Sequence, residues 1–125
     1  MSPTRATLCV RLCCLLLLNL IGCHRGTGSF ALDSDVAHVA LEKALQAWVD
    51  GKTPTDLQPE IIIGDVDWNN GRKLVSYEIL TREVTTDGSN LHIPVKRRFK
   101  TKGKSTESKV AYIVGTSPVV TIFPQ

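Results

Sequence analysis

Residues 91–100 constrain the fold more than any other stretch. Leu91, Ile93, Val95, Arg97 and Phe99 alternate with His92, Pro94, Lys96, Arg98 and Lys100. Successive side chains on a β-strand point to opposite faces, so this pattern describes a strand with one face in a core and the other in solvent. A sheet with such a face needs a second layer to cover it.

Residues 34–50 supply the cover. Ala37, Leu41, Ala44, Leu45 and Trp48 recur at helical spacing, and Ala40 and Ala47 widen the face. Glu42, Lys43, Gln46 and Asp50 fall on the other side. Asp33 or Ser34 caps the start, Asp35 complements the helix dipole, and Gly51 ends the helix.

The remaining segments read as strands and turns. Glu60–Val66 opens a strand through Ile61, Ile62 and Ile63, and Asn69-Asn70-Gly71 turns the chain. Lys73–Val84 forms a second strand, and residues 86–90 turn again. The alternating stretch is the third, Lys102-Gly103-Lys104 is its turn, and Ser108–Thr116 is the fourth. Pro118 breaks that strand, and Val119–Phe123 adds a short extension. Short turns favour antiparallel neighbours. The expected architecture is α+β, with one long N-terminal helix packed on a four-stranded antiparallel meander. This order, over about residues 33–123, resembles the cystatin-like and nuclear-transport-factor-like folds. Pro94 strains the meander, because a strand paired on both sides has no place for a residue without an N–H.

The N-terminal region has a different layout. Arg5 and Arg11 precede an apolar run from Leu12 to Ile21, interrupted by Asn19, and Gly22 precedes Cys23. Basic, apolar and small is the order of an export signal, and about ten apolar residues are too few to span a bilayer. Leu20-Ile21-Gly22-Cys23 resembles the lipobox of bacterial lipoproteins. That resemblance implies cleavage before Cys23 and acylation of its thiol. It gives a signal over residues 1–22, a lipidated N-terminus and flexible tether over 23–32, and one domain over 33–125. His24 in place of Asp after the cysteine favours the outer over the inner membrane. Cys9, Cys13 and Cys14 lie within the signal, so the mature chain keeps Cys23 alone and has no disulfide framework.

Removing Arg5 and Arg11 lowers the formal charge from +3 to +1. Acids outnumber bases from Asp33 to Val95. Beyond that, Lys96, Arg97, Arg98, Lys100, Lys102, Lys104 and Lys109 face only Glu107. This local asymmetry differs from the domain-wide basicity of a nucleic-acid binder. Lys96, Arg98, Lys100, Lys102 and Lys104 are candidates for contact with an anionic lipid, a glycan or an acidic envelope protein. The alternative is an exposed hairpin whose lysines keep the sheet soluble and block edge pairing. Arg97 shares the apolar row with Val95 and Phe99, so it either pairs with an acid under the helix or points into a pocket.

Other candidates are weaker. Residues 65–71 (Asp-Val-Asp-Trp-Asn-Asn-Gly) alternate oxygen ligands, but the glycine and the final acid of a calcium loop are out of register. His24, His38 and His92 have no metal-ligand spacing, and no nucleophile sits in a recognisable turn. No catalytic residue, metal site or cofactor is expected. The cystatin inhibitory hairpin, Gln-x-Val-x-Gly, is missing. The nuclear-transport-factor-like resemblance implies a cone between helix and sheet, which enzymes of that group close with several helices where this chain has one. Tyr77 and Tyr112 either lie near such a cavity or pack as core aromatics. Asp67-Trp68, Gly71, Lys73-Leu74 and Tyr77-Glu78, followed by Tyr112, Val114-Gly115-Thr116 and Pro118, are similar to a group of small bacterial lipoproteins. That resemblance brings no activity with it.

Overall fold

The computed structural model describes residues 31–125. Helix α1 spans Ser34–Val49, with the Asp33 carboxylate accepting from the Val36 amide at 3.1 Å. Its buried face is Ala37, Ala40, Leu41, Ala44, Leu45, Ala47 and Trp48. A turn of 3-10 helix at Pro54–Leu57 leads to β1 (Ile61–Ile63) and then to a single helical turn, α2 (Val66–Asn69). The remaining strands are β2 (Leu74–Ile79), β3 (Thr85–Thr86), β4 (Leu91–Thr101), β5 (Lys104–Gly115) and β6 (Val120–Pro124).

The described residues form a six-stranded mixed sheet. Its order is β1-β6-β5-β4-β2, with β3 also pairing β4. The expected four-stranded antiparallel meander under the helix is therefore wrong in strand number and in topology. β1 does not turn back onto β2. It crosses to the opposite edge and runs parallel to β6, with Ile61 beside Val120 and Ile63 beside Ile122. The cause lies in residues 65–71. Asp65 accepts from the amides of Asp67 and Trp68 and so caps a helical turn where a hairpin was expected. The C-terminal extension, β6, becomes a full strand because β1 and β5 both pair with it.

The long second strand is also broken. Leu80 donates its amide to the Pro94 carbonyl at 2.9 Å. Pro94 has no N–H to return, so the pairing cannot continue there. The chain leaves through a short 3-10 turn at Thr81–Glu83 and rejoins β4 as β3. Pro94 thus sits opposite the gap between β2 and β3, where a missing donor leaves nothing unsatisfied.

The inner face of the sheet, from Leu74 through Leu91, Ile93, Val95, Phe99, Tyr112 and Val114 to Ile122, packs under α1 and leaves the space between the layers filled. Exposed apolar side chains outside this core include Val36, Val39, Ile62 and Phe123. The Phe123 ring rests on Gly64, where a Cβ would collide with it.

Candidate functional site

Two tryptophans build the end of the domain at the C-terminus of α1. Gly51 follows α1 in a left-handed conformation, with its amide bonded to the Trp48 carbonyl and the Lys52 amide bonded to Ala47. Gly71 repeats the motif after α2, with its amide on Trp68 and the Arg72 amide on Asp67. These are two Schellman caps, each placing a tryptophan at the same position. The indoles stack at 5.1 Å between centroids and 2° between planes. Trp48 Nε1 donates to the Arg72 carbonyl at 2.7 Å, and Trp68 Nε1 donates to the Lys52 carbonyl at 2.8 Å. Each indole therefore satisfies the chain just beyond the other's cap.

A second constellation fixes α2 to the sheet. Arg97, 6% exposed, sits on the inner face of β4. Its guanidinium donates to Asp65 Oδ2 (3.3 Å), Tyr112 Oη (3.2 Å), Asp67 Oδ2 (3.2 Å) and Ser108 Oγ (3.2 Å). Tyr112 donates to Asp65 Oδ2 at 2.6 Å. Burial, reinforced by the Asp65 charge, pushes the Tyr112 phenol well above its ordinary range, so it stays a donor. Asp67 also holds Arg72 (3.4 Å), whose guanidinium lies 3.9 Å over the Phe99 ring. Among the described residues no buried side-chain nitrogen or oxygen lacks a partner. The carboxylates of the calcium-like stretch are thus turned onto Arg97, and no three His, Cys, Asp or Glu side chains of the described residues converge to hold a metal ion.

The basic residues divide into two groups. Lys96, Arg98 and Lys100 occupy the outer row of β4 and are exposed. Lys96 stands across from Glu78, and Arg98 donates to Glu107 at 3.0 Å. Lys109 donates to Glu83 at 3.2 Å. Lys100, Lys102 and Lys104 surround the β4–β5 turn, where Lys102 has φ 50° and Gly103 φ 78°, and they form no ion pair among the described residues. The Lys100 amide bonds to the Lys73 carbonyl, which joins this turn to the tryptophan caps. There a shallow cleft of about 250 Å³ is lined by Trp48, Trp68, Lys52, Arg72 and Lys73.

The proposed basic stripe is therefore not a uniform unit. Its outer-row members at 96 and 98 are matched by acids, and the unmatched lysines gather at the hairpin end. Lys52, Arg72 and Lys73 join that end and were not legible as site residues. The signal for them was the repeated pattern of tryptophan, then glycine three residues on, then a base. Tyr77, half-buried, donates to Gln46 at 3.3 Å, and His92 bonds Asp87 at 2.9 Å. His38 is half-buried on α1. Cys23, the signal, His24 and most of the tether lie outside the described residues. None of the described helices is long and apolar enough to cross a membrane. Comparison with protein-family models, curated proteins and solved structures finds no match.

Proposed function

We propose that the chain is a lipid-anchored protein of the bacterial cell envelope, with a small α+β domain outside the cytoplasm that acts as a non-enzymatic binding module. The observation that carries the anchor is Leu20-Ile21-Gly22-Cys23 behind a basic N-terminus and an apolar run too short to span a bilayer. More than one acyl chain gives stable attachment where a single one gives only marginal binding. The absence of any other cysteine from the mature chain fits that single role for Cys23. His24 favours the outer membrane.

The filled space beneath α1 supports a binding module over a catalytic or small-molecule cone. Leu41, Leu45, Phe99 and Tyr112 occupy it, and the Tyr112 hydroxyl is committed to Asp65 and Arg97. The anchor is tested by feeding cells radiolabelled fatty acid. Label should enter the wild-type protein and be lost in Cys23→Ala, and equal labelling of the two would overturn the assignment.

A further inference from the structure

The domain has two electrically opposite ends. The Asp33 amide donates to Thr116 Oγ1 at 2.9 Å, so the tether leaves the domain beside the end of β5. The β4–β5 turn lies at the other end of the 12-residue β5, about 36 Å away at 3.3 Å per residue. Of the 15 lysines and arginines, Arg5, Arg11 and Arg25 precede the domain, and the other 12 equal the 12 acids. That neutral total is sharply partitioned. Residues 31–42, 84–95 and 110–125, which gather at the tether end, contain no lysine or arginine and include Asp33, Asp35 and Asp87. The far end carries Lys52, Arg72, Lys73, Lys100, Lys102 and Lys104. Asp67 pairs with Arg72, and Asp50 and Asp56 stand near Lys52, so its surplus lies in Lys73, Lys100, Lys102 and Lys104.

We infer that this far end docks an anionic polysaccharide and presents it on the side of the domain opposite the lipid anchor. The orientation rests on the anchor proposed above, whereas the binding does not. Several features select this partner. The cations are long, flexible side chains that fan out around a hairpin turn, with Lys100 at the end of β4, Lys102 in the turn and Lys104 across from Thr101 at the start of β5, which suits repeated charge on a flexible chain. Among the described residues no exposed aromatic side chain stands with them to anchor a protein interface, since Trp48, Trp68 and Phe99 are all buried. A flat membrane would meet the broad outer face of the sheet, and there Lys96, Arg98 and Lys109 are opposed by Glu78, Glu107 and Glu83. The surplus charge is confined to the narrow end. A nine-residue Gly/Ser tether has a typical reach of only about 16 Å, and salt screens the bilayer's charge within about 8 Å.

Heparin is the probe. The exported protein and Cys23→Ala should both be retained on immobilised heparin at low salt. Lys100→Gln/Lys102→Gln/Lys104→Gln should elute earlier, with the slope of log affinity against log salt reduced by about two. Lys43→Gln/Arg82→Gln, which removes two cations away from that end, should elute with the wild type. Failure of the wild type to bind, or equal shifts in both variants, overturns the proposal. So does flotation of Cys23→Ala on phosphatidylglycerol vesicles at physiological salt if the triple variant abolishes it, because the surface would then be membrane-binding. Loss of fatty-acid labelling with retained heparin binding would sink the anchor and leave the docking surface standing.

Discussion

Trp48 and Trp68 lie flat against each other and exchange hydrogen bonds with the segments that close each other's helices. The two caps are therefore one unit. Trp48→Phe keeps much of the apolar contact but leaves the Arg72 carbonyl without its donor, and Trp68→Phe does the same to Lys52. Each should cost about 1–3 kcal/mol, mainly from the unpaired group and the weakened aromatic pair. In the double variant the loss should be clearly smaller than the sum of the two, as a double-mutant cycle by urea denaturation will read.

The Asp65–Arg97–Tyr112 cluster makes a second prediction of coupled energies. Asp65→Ala leaves the Arg97 charge short of its buried partner and should destabilise the fold by about 3–5 kcal/mol. Tyr112→Phe removes one hydroxyl and should cost about 1–3 kcal/mol. Asp65→Leu/Arg97→Met should be less destabilised than Asp65→Ala alone, because no unpaired charge stays buried. Denaturant midpoints check the order.

Gly64 is required by contact, since its backbone lies beneath the Phe123 ring. Gly64→Ala should lower the melting temperature by pushing that ring off β1 and β6. Gly64→Ala/Phe123→Ala removes the obstacle, so the added methyl should cost less in that background than in the wild type.

Asp87 and His92 join the β3–β4 loop to the start of β4, and Gln125 approaches the other ring nitrogen. The bond to His92 holds the Asp87 carboxyl well below its ordinary range, and the same bond raises His92 above the usual imidazole value. The raised histidine stabilises the fold fully below about pH 6.5, and this contribution is lost as pH climbs through the folded value. The lowered carboxyl stabilises above about pH 4 and is lost as pH falls through its own folded value. Loop protection should therefore be greatest between about pH 4 and 6.5. NMR titration should find the His92 pKa above the ordinary value and lower in Asp87→Asn.

Where local pattern decides structure, the residues announced it. Helix α1, the strand from Leu91, the turn at Lys102–Gly103 and the inward position of Arg97 follow from periodicity and turn chemistry. The strand order did not, because it hinges on competition between similar signals. Asp65-Val66-Asp67-Trp68 reads as a strand end by its apolar residues and as a helical turn by its side-chain cap, and the cap prevails. Three isoleucines state that β1 is a strand without naming its partner. Pro94 was the one residue that pointed at the error. The site was legible to a similar degree. Lys100, Lys102 and Lys104 stood out as a run, while Lys52, Arg72 and Lys73 join them through the paired tryptophans and the pairing of β2 with β4, contacts between distant segments.

Distance from the membrane tests the central claim most directly. On the proposed cleavage before Cys23 and acylation of its thiol, the chain keeps no free thiol, and Thr101→Cys and Asp35→Cys each introduce a single labelling site at opposite ends of the domain. Energy transfer from a dye at either position to labelled lipid headgroups should place residue 35 within about 20 Å of the bilayer and residue 101 about 30 Å or more farther out. Equal transfer from both positions, or closer approach by residue 101, would contradict the account.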